Sequence, residues 1–292
     1  MRIDVQIVRS LTDGESGGNP AGVVIDADAL DVDQKREVAR QVGLSETAFV
    51  SKSGIATIKL EFFTPTRQIA HCGHATIATF SLLRKLGRVA DGSLSKETID
   101  GCRTVLVDGD VILMQQQPPV YHPIKQESDL AARIARSIGM KLEDIYGLAE
   151  PTVVNTGNSF LIVGLPDEYS VAAIRPDQRA IEAISEELDL IGYYLFSTST
   201  RTADRQAGAR MFAPRFGIHE ESATGTAAGP LACFLYEKMG VKHRVMTIEQ
   251  GQLMLPPSPS AIKVILDIQE GTIAGLMAGG TATLEQSVRV DV

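Results

Sequence analysis

The sequence predicts an α+β fold made of two similar halves, and three observations predict it. The order of strand-like and helix-like stretches in the first 117 residues recurs in the remainder. Each half carries an aromatic-x-Pro segment, Phe63-Thr64-Pro65 and Phe212-Ala213-Pro214, 149 positions apart (63 to 212). Each segment leads into a helix of small residues, one opening at Cys72-Gly73-His74-Ala75-Thr76 and the other at Thr224-Gly225-Thr226-Ala227-Ala228.

Alternation of apolar and polar residues predicts a strand over Arg2 to Ile7 and another over Gly22 to Ile25, after the turn signal Gly17-Gly18-Asn19-Pro20. Asp33 to Val42 reads as a helix with Asp33 as N-cap and with Val38 and Val42 on one face. Strands follow at Thr47–Val50 and Thr57–Phe63, then the small-residue helix from Gly73 to about Leu86. Asp108-Gly109-Asp110 between Thr104–Val107 and Val111–Met114 is a hairpin signal. Gln117-Pro118-Pro119 and Pro123 break the pattern. The domain crossing is therefore placed at 117/118, with the strand 279–292 able to return to the first domain.

The second half repeats the plan. Strands at Thr152–Val154 and Phe160–Val163 bracket Asn155-Thr156-Gly157-Asn158. A helix opens at Pro176-Asp177-Gln178-Arg179, echoing Asp33-Gln34-Lys35-Arg36 at an offset of 144 (33 to 177). Strands at Tyr193–Phe196 and Ala209–Phe212 come next, and further strands close the chain.

With 292 residues, 44% hydrophobic and 22% charged, the composition is that of a globular chain with room for two cores. No apolar run approaches the roughly 18–20 residues that span a bilayer. The first residues carry Arg2, Asp4, Arg9 and Asp13 rather than a signal-peptide core, so a cytoplasmic location is expected. Three widely spaced cysteines, Cys72, Cys102 and Cys233, suggest thiols and not a disulfide frame. A net charge of −8 argues against a nucleic-acid surface.

Helix N-termini expose N–H groups and a partial positive charge, and small residues there let a ligand reach the backbone. Gly73-His74 and Gly225-Thr226 are two such ends, expected to face a cleft between the halves. No Lys follows either start and no phosphate-loop pattern is present, so a carboxylate is the better ligand. Metal chemistry has weak support, because nothing completes a four-ligand set with His71, Cys72 and His74. Serine hydrolase chemistry lacks its G-x-S-x-G motif.

Gly18-Asn19-Pro20-Ala21-Gly22-Val23-Val24, Ser45-Glu46-Thr47-Ala48-Phe49, Phe63-Thr64-Pro65-Thr66 leading to Cys72-Gly73-His74, and Arg210-Met211-Phe212-Ala213-Pro214 leading to Ala223-Thr224-Gly225 together resemble the phenazine biosynthesis PhzF-like proteins. The resemblance runs along nearly the whole chain. It implies the diaminopimelate epimerase-like fold: two pseudo-symmetric domains, each a barrel-like, mostly antiparallel sheet around a central helix, with the active site in the cleft. It further implies a cofactor-independent isomerase, usually a homodimer, that shifts a proton on a small carboxylate.

Carried over residue by residue, Glu46 becomes the general acid and base, His74 the neighbouring catalytic histidine, and Gly73, Gly225 and Thr226 substrate-carboxylate positions. Asn19 and Cys72 join them as substrate-binding candidates. Glu221-Ser222 stands where the family commonly has Asp-Pro, Gln68 where it often has Glu, and Thr226 where Ser is frequent; Glu221 is the third catalytic candidate. The first two departures leave the particular substrate open. Glu46 lies between Leu44 and an apolar strand, and burial there suits proton transfer. Cys72 offers a rival, an amino-acid racemase or epimerase using Cys72 with Thr224 or Glu221. Its opposite number is Thr224, a hydroxyl and far weaker acid, which disfavours a two-thiol mechanism. A non-catalytic carboxylate-binding protein is the reading from another class. Cys233, among Leu231, Phe234 and Leu235, is expected in the core.

Overall fold

The computed structural model describes residues 1–292. The chain forms two compact units, one of Met1–Gln115 with Gly279–Val292 and one of Gln116–Ala278.

In the first unit, β1 (Arg2–Ser10) pairs antiparallel with both β2 (Asn19–Val24) and the C-terminal strand β18 (Ala282–Asp291). Helix α1 (Val32–Val42) carries the chain to β3 (Thr47–Ser51), which lies parallel to β2. The N-cap of α1 is Asp31 and not Asp33. The Asp31 carboxylate accepts from the Gln34 N–H while the Gln34 side chain accepts from the Asp31 N–H, so the reciprocal capping box selects the earlier aspartate. β3 pairs antiparallel with β4 (Ile58–Phe63), whose end also pairs with the two-residue strand β5 (Gln68–Ile69). Helix α2 (Gly73–Lys85) precedes β6 (Gly92–Thr98), which is parallel to β4, and β7 (Gly101–Asp108) and β8 (Val111–Gln116) complete a meander.

The second unit opens with β9 (Val120–Pro123) and the helices α3 (Asp129–Ser137) and α4 (Leu142–Tyr146). From there the pairings recur in the same order. β10 (Thr152–Asn155) is antiparallel to β11 (Ser159–Gly164). Through α5 (Glu168–Ala173) and α6 (Gln178–Glu187), β11 reaches the parallel strand β12 (Gly192–Ser197). β13 (Ala207–Ala213) is antiparallel to β12 and to the short β14 (Ile218–Glu221). Helix α7 (Gly225–Glu237) precedes β15 (Val245–Gln250), parallel to β13 and antiparallel to β16 (Ser260–Gln269). β17 (Thr272–Gly280) then leads back to the first unit.

The two small-residue helices form the centres of the units. Ten consecutive residues of α2, His74 to Leu83, are buried, and α7 is buried at Gly225 and from Ala227 to Leu235, Cys233 included. A helix buried on every face cannot show a polar stripe, and Ala, Gly and Thr let strands close around it. The outer helices are amphipathic instead. α3 and α6 cover Val153, Leu161, Tyr193 and Phe212 in one core, while α1 covers Val5, Phe49 and Phe63 in the other.

Candidate active site

Glu46 enters β3 immediately after the turn that follows α1. Its carbonyl accepts a hydrogen bond from the Gly22 N–H at 3.1 Å. A Cβ on Gly22 would lie 2.8 Å from the Thr47 hydroxyl oxygen, so only glycine lets β2 approach this closely. The segments Gly18–Val24 and Ser45–Phe49 are thus one feature: the first holds the backbone of the second. Asn19 belongs to this strand, buried, with its carbonyl accepting from the Ser10 hydroxyl.

The start of α2 brings His74 to Glu46. Both side chains are about nine-tenths buried, and His74 Nε2 lies 3.3 Å from Glu46 Oε2. The two atoms face each other without the alignment of a hydrogen bond, and neither has another hydrogen-bond partner. A buried polar atom left so costs about 1–3 kcal/mol, a cost that folded chains ordinarily avoid. Cys72 Sγ lies 3.6 Å from His74 Nδ1 on the other edge of the ring. One atom each from Glu46, Cys72 and His74 lies within 4.8 Å of the others. Oxygen, sulfur and nitrogen in that spacing are donors able to hold a cation; they are also what a proton-transfer centre requires. His71, grouped with Cys72 and His74 by sequence, turns instead to Lys96.

Sequence reasoning missed Lys96. It is fully buried on β6, its Nζ donating to the Thr76 hydroxyl at 2.6 Å and lying 3.3 Å from His71 Nδ1. The ammonium also sits 5.0 Å from the centre of the Phe62 ring. Burial pushes Lys96 down to about 7, against the opposing pull of the Cys72 sulfur, while Arg103 adds to the depression. Burial first, then Lys96 and Arg103, push His71 down to about 3, so its ring is neutral and can accept from Lys96. Thr76 in turn donates to the Cys72 carbonyl at 2.6 Å.

In the second unit, Glu221, Gly225 and Thr226 stand around the start of α7. Here the holding group is Gln250, also missed from sequence and completely buried. Its Oε1 accepts from the Tyr194 hydroxyl (2.9 Å) and the Thr224 N–H (3.0 Å). Its Nε2 donates to the Glu221 carbonyl (2.7 Å) and the Thr224 hydroxyl (3.1 Å). The Gly225 carbonyl accepts from Gln116 Nε2 at 2.9 Å, and a Cβ on Gly225 would meet nothing within 4 Å.

Comparison with known proteins matches residues 8–287 to the family model described as phenazine biosynthesis-like protein. The chain belongs to this family. Among its relatives, an uncharacterized isomerase, YddE of Escherichia coli K12, is 29% identical over 290 residues, covering 97% of each chain. The trans-2,3-dihydro-3-hydroxyanthranilate isomerase of Pseudomonas chlororaphis is 29% identical over 284 residues, covering 94% of this chain and 89% of its own. A Bacillus anthracis phenazine biosynthesis protein of the PhzF family superposes over 100% of both chains with a TM-score of 0.89 at 25% identity. The chain is thus an isomerase of the phenazine biosynthesis-like family, with that family's two-unit α+β fold. No helix in it is long and apolar enough to cross a membrane.

Proposed function

We propose that the protein is a cofactor-independent isomerase that moves a proton between carbons of a small carboxylate substrate, with Glu46 as the acid–base group. The observation that carries this is the Glu46–His74 pair: a carboxylate and an imidazole, both buried, 3.3 Å apart, each with an atom not used in any hydrogen bond. Groups kept unsatisfied in a folded interior are available to a ligand. Glu46 removes a carbon-bound proton next to the carboxylate group. The N–H groups opening α2 at Gly73 and His74 offset the negative charge that develops. Glu46, or His74 beside it, then delivers a proton to another carbon, and the double bond shifts. Those N–H groups suit a carboxylate, and the named substrate of the Pseudomonas chlororaphis relative is an anthranilate derivative, which carries one.

The test is proton exchange in D2O, followed by NMR, across a panel of unsaturated and amino carboxylates. Wild type is expected to place deuterium on carbon or to rearrange at least one substrate. Glu46→Gln is expected to lose at least about 100-fold, the range general acid–base groups supply. Full activity in Glu46→Gln defeats the assignment.

A second reading has one observation behind it. Cys72 Sγ touches the imidazole at 3.6 Å, so the thiol can serve as the proton donor of a racemase or epimerase. Cys72→Ser abolishing stereoinversion while Glu46→Gln remains active would select that reading.

A further inference from the structure

The two units share a register that makes their corresponding positions comparable. In the first, Ile58, five residues before Phe63, pairs with Lys96 across the parallel strands β4 and β6. In the second, Ala207, five residues before Phe212, pairs with Ile248 across β13 and β15. The antiparallel neighbours correspond too, Lys96 facing Arg103 and Ile248 facing Ile262. The fold therefore accepts a fully buried isoleucine where the first unit has a fully buried lysine. Nothing in the architecture requires an ammonium there, and no carboxylate pairs with it. Its partners are the Thr76 hydroxyl, the His71 ring nitrogen and the face of Phe62.

Those partners lead to one place. Thr76 donates onward to the Cys72 carbonyl, the residue that caps α2, and His71 immediately precedes Cys72. We propose that Lys96 is a positioning residue: its buried ammonium holds the His71–Thr76 segment and adds positive potential at the start of α2, and so sets the placement of His74 against Glu46. This rests on Glu46 and His74 being the acid–base pair. It assigns Lys96 a role through them and no contact with substrate.

A cation behind the helix start strengthens the field on any anion held at the Gly73 and His74 N–H groups. The groups facing the ammonium are His71 and Cys72 from the segment before α2, Thr76 from α2, Phe62 from β4 and Arg103 from β7. With His71 neutral, Lys96, pushed down to about 7 by its burial, changes charge around neutrality. Activity that depends on its charge declines as pH rises through about 7.

Lys96→Met and Lys96→Ile, the latter placing the residue of the second unit, test this. A buried charge replaced by an apolar group of similar size is commonly neutral or stabilising, so both variants are expected to fold with a Tm at or above wild type. The isomerisation rate is expected to fall at least 10-fold, and the decline near pH 7 to disappear. In protein labelled with 15N-histidine, the ring signals of His71 and His74 are expected to shift. Wild-type rate, pH profile and histidine signals in a folded variant would overturn the proposal. So would failure of both variants to fold, or a rate loss that follows a lowered Tm with the histidine signals unchanged, since each makes Lys96 structural. Failure of the Glu46 assignment appears separately, as undiminished exchange by Glu46→Gln, and the histidine signals still decide the placement of His74 by Lys96.

Discussion

Gln250, at the end of β15, is completely buried. All four hydrogen-bonding capacities of its amide are used by Tyr194, Thr224 (twice) and Glu221. Gln250→Met keeps the volume and removes all four. The Tyr194 hydroxyl is fully buried and burial pushes its ionisation far upward, so it remains a donor at any working pH and is left with no acceptor. The Thr224 N–H and the Glu221 carbonyl lose their partners at a part-buried position where water can replace some of the bonding. One stranded buried group at about 1–3 kcal/mol and two partly rehydrated ones together cost about 4 kcal/mol.

Equilibrium urea unfolding measures this cost, followed by circular dichroism and the fluorescence of the 6 tyrosines, since the chain has no tryptophan. With a slope of about 2 kcal/mol/M, the transition of the second unit moves down by about 2 M urea. A loss below about 1 kcal/mol would refute the reasoning, because it would mean the Tyr194 hydroxyl and the residues before α7 re-pair at no cost. Gln250→Glu refines the test. Its oxygen still accepts from Tyr194 and Thr224, but only the protonated acid can donate to the Glu221 carbonyl. The folded state then holds the proton more tightly than the unfolded one, so stability declines as pH rises above about 4.3.

Three further outcomes are expected. His71 is pushed down to about 3 in the folded chain against 6.5 when free, so the unfolded chain takes up the proton first. Stability is lost as pH falls from about 6.5 toward 3, by about 2 kcal/mol for this half-buried ring, and urea midpoints at pH 4 and 7 should differ less in His71→Asn than in wild type. Gly192→Ala places a Cβ 2.2 Å from the Phe212 carbonyl oxygen, a backbone atom, and is expected to lower stability by about 3 kcal/mol in the same assay; an unchanged midpoint would contradict the close approach of β12 and β13. Gly225→Ala meets open space and gains helix propensity, so it should hold or raise the Tm while weakening kcat/KM by crowding a ligand at the α7 start; unimpaired kinetics would remove Gly225 from the substrate-binding set.

How far the sequence could be read depended on which signals lie on the chain and which lie across it. The repeated plan was legible because Phe-x-Pro and a run of small residues are contiguous, and a central helix must be built from small residues whatever its sequence context. The capping residue of α1 was legible in principle, since Asp31-Val32-Asp33-Gln34 contains the capping-box spacing, but two aspartates compete until the reciprocal bond with Gln34 is seen. Lys96 and Gln250 were not legible. Gly92–Thr98 alternates without an apolar face that tells inside from outside, so a lysine on that strand reads as solvated. A glutamine ending β15 shows nothing of the four partners it gathers.

By register, the site positions of the first unit have counterparts in the second. Thr47 pairs with Phe63 and Tyr193 with Phe212, so Glu46 corresponds to Gly192. The helix starts make Cys72 correspond to Thr224 and His74 to Thr226, and the parallel strands make Lys96 correspond to Ile248. At all four positions the first unit has a titratable group and the second has none. A symmetric two-base racemase would need equivalent acids at equivalent places. An enzyme that takes up a proton and returns it from the same side has no need of matched acids in both halves. With Glu46, His74, Cys72 and Lys96 in the first unit and Glu221 the titratable candidate beside the second helix start, no matched pair of acids stands at equivalent positions, which argues against a symmetric two-base racemase.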